Sequence, residues 1–114
     1  MDLSRVIIFT PDVVRLAEFY RNAFDLSAAG GSGSDWTELE TRGCGIAFHH
    51  IDEHSDVRDG WMKLVFGAAD VPAEKQRLES LGIKMSDVVT FDGVQLCDGI
   101  DPDGNRFQVS SRGL

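Results

Sequence analysis

The pattern of apolar and polar positions divides the chain into short strand patterns and two helical patterns. Residues 5–9 form a largely apolar run that predicts a strand, and Thr10 followed by Pro11 predicts a helix start with Thr10 as the N-cap. Five apolar side chains then recur at helical spacing, which predicts that this helix packs one side against a sheet. They are Val13, Leu16, Ala17, Tyr20 and Phe24.

The segment after this helix is rich in Ala, Gly and Ser. Residues 28–35 predict a flexible connection, followed by strands at residues 36–41 and 45–51. The next stretch, residues 52–60, is polar and short of apolar side chains, which predicts a linker between two halves of the chain.

The second half repeats the order of the first. A strand is predicted at residues 61–66, and Asp70 with Pro72 predicts a helix start. Gly82 predicts the end of this helix. The inward side of the helix is predicted to carry Val71, Leu78 and Leu81, and strands are predicted at residues 88–89, 93–97 and 106–110.

The two halves can be laid over one another. An offset of 58 (63 − 5) places Lys63 on Arg5 and also places Asp70 on Asp12. Neither half is expected to be stable alone, because a single helix leaves one face of its sheet uncovered. The prediction is an α+β fold in one domain, residues 1–114, with modules at about 1–52 and about 60–114 and a linker at about 53–59.

Composition narrows the class of protein. The chain has 114 residues, 42% of them hydrophobic, as expected for one globular domain. The excess of 19 acidic over 11 basic residues argues against binding to nucleic acid or anionic lipid. The apolar run at residues 6–9 is far too short for a signal peptide or a membrane span, so a cytoplasmic location is predicted. Cys44 and Cys97 have no metal-ligand spacing and are predicted to be buried thiols.

Three stretches resemble one known family. They are "VIIFTPDVVRLAEFYRNAFDL" at the start, "LVFGAADVPAEKQRLESLGI" in the middle and "DPDGNRFQV" at residues 101–109. Together they resemble the vicinal oxygen chelate superfamily, which contains glyoxalase I, bleomycin and fosfomycin resistance proteins and extradiol dioxygenases. The resemblance implies two βαβββ modules that form a curved, incompletely closed mixed sheet around a cleft, and a homodimer.

The resemblance also implies where a metal would be held in related proteins. Their ligands are a His on the first strand, a His on the strand that opens the second module, and a Glu on the last strand. Those positions carry over to Arg5, Lys63 and Gln108, and a further Glu position carries over to Ala47. None of these side chains is a good metal ligand. We therefore expect a metal-free protein with no cofactor.

The charged residues at these positions have two interpretations. Strand alternation places Arg5 on one face with Ile7 and Phe9, and Lys63 with Trp61 and Val65. The resemblance implies that both faces line the cleft, where the cations would hold an anionic ligand. The alternative is that Glu38 or Glu40 neutralises each cation. Gln108 would correspondingly face an organic ligand or be satisfied inside a hydrogen-bonding network.

The run "HHIDEH" raises the possibility of a different metal site. His49 and His50 are adjacent on a predicted strand and must point to opposite faces, so they and His54 do not converge. We interpret the run as a strand end leading into a solvated loop, with His49 on the same face as Ala47. Trp36 and Trp61 are expected either to stack on a flat ligand or to belong to the core.

Two functions remain open from the sequence. The first is a metal-free binding protein that captures a small organic molecule with a carboxylate or another acceptor group. The second is a glyoxalase-type lyase or isomerase that uses His49, Lys63 or Gln108. No catalytic residue is assigned. The predicted ligand-binding residues are Arg5, Phe9, Trp36, His49, Trp61, Lys63, Arg106 and Gln108.

Overall fold

The computed structural model describes residues 5–52 and 63–112. The chain divides into two compact units, Met1–Asp56 and Val57–Leu114. Each unit has the order strand, helix, three strands, and each sheet has four strands, which confirms the predicted pair of βαβββ modules. The first unit contains β1 (Arg5–Thr10), α1 (Val13–Phe24), β2 (Ser27–Ser32), β3 (Trp36–Glu40) and β4 (Gly45–His50). The second contains β5 (Leu64–Gly67), α2 (Val71–Ser80), β6 (Val89–Phe91), β7 (Val94–Ile100) and β8 (Arg106–Ser110).

The sheet of the first unit has the order β1-β4-β3-β2, with β1 and β4 parallel and the other pairs antiparallel. Helix α1 begins later than the sequence predicted. Its N-cap is Asp12, whose side chain accepts a hydrogen bond from the Arg15 backbone N–H at 3.1 Å. Thr10 instead accepts a bond from the Asp12 N–H. The prediction of Thr10 as N-cap was wrong because this threonine ends β1.

One side of α1 is buried, as the helical spacing predicted. The Tyr20 ring stacks on Phe48 of β4 with centroids 5.8 Å apart, and Ile46 of β4 is buried with it. Phe24, which was also expected to point inward, is only half-buried at the end of the helix, and Ala23 is buried instead. The buried residues of the helix are Val13, Leu16, Ala17, Tyr20 and Ala23.

Strand β2 corrects the prediction of a flexible connection at residues 28–35. Ser27 pairs with Glu40 and Ala28 with Leu39, so the segment forms the edge strand of the first sheet. The register shifts between Ala28 and Ser32, where Gly30 has φ +82°. Ala, Gly and Ser have little intrinsic preference for strands. Pairing with β3 therefore determines this strand, and its own side chains do not.

The second unit repeats the first, with the order β5-β8-β7-β6. Asp70 caps α2 by accepting a bond from the Ala73 N–H at 3.0 Å, and Gly82 follows the helix with φ +87°. Both boundaries agree with the prediction. Leu81, expected inward, is exposed because it is the C-cap residue, beyond the last helical turn. Strand β7 continues to Ile100, three residues past the predicted end at Cys97. In the described ranges, no helix combines the length and the apolar character needed to cross a bilayer.

Candidate functional site

Each sheet has one face that is turned away from the helix of its own unit. In the first unit, Ile8 and Thr10 are buried on the helix side, whereas the residues between them alternate to the other side. Strand pairing extends this side across β4 and β3. We call it the first helix-free face. It is formed by Arg5, Ile7, Phe9, Trp36, Glu38, Ala47 and His49.

Three aromatic rings form a row across the first helix-free face. His49 pairs with Phe9 on one side and with Trp36 on the other. Its ring lies 5.5 Å from Phe9 and 5.7 Å from Trp36, centroid to centroid, and both contacts are edge-to-face. Phe9 is 46% exposed. The row therefore places aromatic surface next to solvent at one end of the sheet.

An ion pair crosses the same face at its other end. Arg5 lies 3.5 Å from a carboxylate oxygen of Glu38, diagonally over β4. Ala47, which lies opposite both Ile7 and Glu38, is fully buried, and its methyl group leaves room for this contact. The alternative interpretation of Arg5 from the sequence is thus supported, with Glu38 as its partner.

The second unit carries a polar cluster on the equivalent face. Gln108 pairs with Val65 on one side and Asp98 on the other, and Arg106 lies on the same side of β8. We call this the second helix-free face. It is formed by Lys63, Val65, Leu96, Asp98, Ile100, Arg106, Gln108 and Ser110.

Asp98 is the centre of this cluster. The Gln108 Nε2 donates to Asp98 Oδ1 at 3.0 Å. The Lys63 ammonium donates to Asp98 Oδ2 at 3.4 Å, and an Arg106 guanidinium nitrogen lies 3.8 Å from the same oxygen. Lys63 is therefore ion-paired, with Asp98 in place of the expected Glu38 or Glu40.

Asp98 was not among the site residues predicted from the sequence. The predicted strand ended at Cys97, three residues too early, so the alternation of Leu96, Asp98 and Ile100 against Cys97 and Gly99 went unused. That alternation was the available signal, because it places Asp98 on the side of the sheet that Gln108 shares.

Comparison with known proteins agrees with this architecture. Residues 5–110 match the model of the family described as glyoxalase-like domain. The chain belongs to the glyoxalase-like domain family. No curated protein sequence matches it.

Several solved structures share the fold of this glyoxalase-like protein. A glyoxalase/bleomycin resistance protein/dioxygenase family enzyme from Burkholderia phytofirmans PsJN is 21% identical, with a TM-score of 0.79 over 96% of this chain and 98% of that one. Lactoylglutathione lyase from Agrobacterium tumefaciens is 19% identical, with a TM-score of 0.77 over 95% and 91%. A possible glyoxalase from Bacillus cereus is 18% identical, with a TM-score of 0.75 over 96% and 97%. At these identities the likeness establishes the fold alone.

The residues that the family resemblance assigns to metal positions do not fit a metal ion. Ala47 has no donor atom, and the side chains of Arg5 and Lys63 are cations at neutral pH. Gln108 offers an amide oxygen, a weaker ligand than a carboxylate.

The carboxylates next to these positions do not restore such a site. Glu38 and Asp98 are each engaged by a cation of their own unit. Within residues 5–52 and 63–112, no three His, Cys, Asp or Glu side chains come together in a way that would hold a metal. We therefore derive no chemical step through a metal.

The structure also locates the neighbour of His49 and divides the predicted site residues between the two units. His50 turns away from His49 and lies near Asp52, with Nδ1 3.9 Å from a carboxylate oxygen. Trp61 and His54 lie outside the described residues. The structure thus brings Phe9, Trp36 and His49 together on one unit, with Arg5 on the same face. It brings Lys63, Arg106 and Gln108 together on the other unit.

A cavity of about 230 Å³ lies on the helix side of the first sheet. Ala17 of α1, Ala28 of β2 and Leu39 of β3 form part of its lining. Its lining includes none of the predicted ligand-binding residues.

Proposed function

We propose that this glyoxalase-like protein binds a small organic molecule and does so without the metal of its family. The observation that supports the proposal best is the aromatic row of Phe9, His49 and Trp36. An exposed set of rings gains free energy when a flat apolar group covers it. The homodimer and the single-domain organisation remain predictions.

The geometry of the row favours a planar ligand. His49 touches both neighbours edge-on, so the three rings support one another across three strands. Aromatic pairs contribute about 0.5–1.5 kcal/mol beyond the area that they bury. Cross-strand ring pairs also stabilise sheets, and that purely structural role is the competing explanation. A binding measurement separates the two roles.

Fluorescence of Trp36 provides this measurement. The chain has two tryptophans, so Trp61→Phe leaves Trp36 as the only reporter. Titration with flat aromatic compounds should give saturable quenching. Phe9→Ala in the same background should weaken binding about tenfold, equivalent to about 1.4 kcal/mol, through loss of one stacking ring. The control is Phe91→Ala, which removes an exposed phenylalanine from β6.

Two results would contradict the proposal. One is the absence of saturable quenching by any compound of the series. The other is an equal loss of affinity in Phe9→Ala and Phe91→Ala, which would mean that the row is not the contact surface.

A glyoxalase-type lyase or isomerase is the second candidate. Its support is the convergence of Lys63 and Gln108 on Asp98, which places an amine and an amide around one carboxylate. Turnover lost in Lys63→Met would favour it. Elemental analysis of protein purified without chelator or affinity metal adds a second criterion. A stoichiometric metal that is lost in His49→Ala would contradict the metal-free proposal.

A further inference from the structure

The first helix-free face places an ion pair next to the aromatic row. Arg5 reaches Glu38 diagonally across β4, and Glu38 lies two residues from Trp36 on the same side of β3. Two residues of a strand span about 7 Å. The ion pair is therefore separated from the row by a distance that a two-ring heterocycle can bridge.

Both members of the ion pair are accessible from the solvent side. The side chains of Arg5 and Glu38 are 46% and 21% exposed. The guanidinium carries several N–H donors, and the carboxylate accepts through both of its oxygens. Within residues 5–52 and 63–112, the contact of Arg5 Nη1 with Glu38 Oε1 at 3.5 Å is the one ionic contact of either side chain. A single contact of this length leaves hydrogen-bond donors and acceptors available to a ligand.

The surface between the ion pair and the aromatic row is apolar. Ile7 lies between Arg5 and Phe9 along β1 and is 39% exposed. Ala47 of the neighbouring strand carries only a methyl group and is fully buried. A ring that extends from the row to the ion pair would therefore cover apolar side chains and would leave no polar group of its own unpaired on the way.

The charges at this end of the face favour an uncharged ligand. Glu38 balances Arg5 one to one. Glu40 lies on the same side of β3, two residues further along, and is exposed. A ligand carboxylate would therefore meet two acidic side chains and one basic one, which opposes its binding. A neutral group that both donates and accepts a hydrogen bond matches the pair without adding a charge.

We infer that the ligand of the first helix-free face is a planar, uncharged heterocycle with a lactam group, an N–H next to a C=O, on one edge. The lactam C=O accepts a hydrogen bond from the Arg5 guanidinium, and the lactam N–H donates to the Glu38 carboxylate. The ring system lies against the aromatic row of Phe9, His49 and Trp36. The inference rests on the proposed small-molecule function and names the chemical class of the ligand.

The competing explanation is a solvated ion pair that serves only the sheet. Exposed ion pairs are common on protein surfaces and contribute little to stability. The two explanations differ in their response to a change in the ligand. A solvated pair is indifferent to the loss of one donor from a bound ring, whereas a recognition site loses a hydrogen bond to a charged group.

Two methylated isomers of carbostyril, the lactam of quinoline, make this comparison at constant size. The N-methyl isomer lacks the donor, and the isomer with a methyl group on a ring carbon keeps it. Nuclear magnetic resonance of the Trp36 indole N–H reports binding, and Trp61→Phe assigns this resonance because the chain has two tryptophans. The carbon-methylated isomer should bind about tenfold more tightly, since hydrogen bonds to charged groups are the stronger ones.

Variants of the ion pair test the two roles separately. Glu38→Leu removes the acceptor, so the preference for the carbon-methylated isomer should be lost. Arg5→Met removes the donor to the C=O that both isomers share, so both should bind about tenfold more weakly. The matched control is Arg21→Met, which breaks the exposed Arg21–Glu18 pair on α1 and should leave the binding of both isomers unchanged.

The outcomes separate this inference from the proposed function. Equal affinity for the two isomers, or a preference that persists in Glu38→Leu, would overturn the lactam recognition. Unchanged affinities in Arg5→Met would overturn the role of Arg5. If neither isomer binds while other flat aromatic compounds quench Trp36, the inference fails and the binding function stands. If no compound of either series binds, both are contradicted.

Discussion

The two helix-free faces have the same framework and different chemistry. In each unit a cation near the start of the first strand meets a carboxylate on the third strand, as Arg5–Glu38 and as Lys63–Asp98. The strand between them carries Ala47 in the first unit. It carries Gln108 in the second. The ion pair thus occurs at the same register in both units, and in the second unit Gln108 and Arg106 of the middle strand extend it into a polar cluster.

The helix sides of the two sheets differ in a complementary way. One position beyond each carboxylate, Leu39 pairs with Ile46 in the first unit. The equivalent pair in the second unit is Gly99 with Phe107. Leu39, Ile46 and Phe107 are all buried. In the second unit the Phe107 ring next to Gly99 therefore fills the space that Leu39 and Ile46 fill in the first unit. The same strand register therefore accommodates either two medium-sized aliphatic side chains or one large ring opposite a glycine.

The largest effect is expected from Gly99→Ala. Its Cβ would overlap the Phe107 ring and would lie 2.7 Å from Met85 Sδ. Phe107 is fully buried and cannot move aside easily. We expect overpacking to lower the free energy of unfolding by about 3 kcal/mol, measured by urea denaturation. Gly43→Ala is the control, because its Cβ would meet no atom within 4 Å.

A second substitution tests whether the two arrangements are interchangeable. Phe107→Leu should recover part of the stability lost in Gly99→Ala, because two aliphatic side chains would then resemble the Leu39–Ile46 pair. Additive losses in the double variant would show that the second unit does not accept the packing of the first.

The sequence predicted the parts of the fold that local chemistry specifies. The start of α2 at Asp70 was predicted correctly, whereas the N-cap of α1 was predicted at Thr10 and is Asp12, the residue equivalent to Asp70 in the repeat. Strand β2 was missed because its residues have no strand preference of their own and are ordered by pairing. The partner of Lys63 was missed for a related reason, since Asp98 belongs to the set of facing residues only if β7 continues past Cys97. The first error concerns pairing between strands, which a pattern along one strand does not specify, and the second concerns the residue at which a strand ends.

The next largest effect on stability distinguishes the Lys63–Asp98 ion pair from the Arg5–Glu38 ion pair. Asp98→Ala removes the acceptor of the Gln108 and Lys63 hydrogen bonds and the carboxylate that lies 3.8 Å from Arg106. We expect it to lower the free energy of unfolding by about 1–2 kcal/mol. Glu38→Ala removes the partner of one exposed cation and should cost about 0.5 kcal/mol. Urea denaturation at low and high salt measures both losses. Equal losses would mean that Gln108 and Arg106 add nothing to the second pair.

The smallest effect concerns the two cysteines, one in each unit. Cys44 is partly exposed, whereas Cys97 is fully buried on the helix side of β7. Burial raises the pKa of the Cys97 thiol, Lys75 partly offsets this, and the charges of Asp98 and Glu79 raise it further. In the native protein, a thiol reagent should therefore modify Cys44 first and reach Cys97 only as the second unit unfolds.

The raised pKa of the Cys97 thiol also determines whether the free energy of unfolding rises or falls with pH. The folded state holds the Cys97 proton more tightly than the unfolded state, whose thiol pKa is about 8.5. The resulting stabilisation is fully present below that pKa and is lost as pH rises through the higher pKa of the folded state. Cys97→Ala lacks this contribution, so the difference in unfolding free energy between the two proteins should shrink as pH is raised above about 8.5. Cys44 is present in both proteins and cancels from the difference. A difference that stays constant or widens with pH would show that burial on the second sheet does not hold this proton.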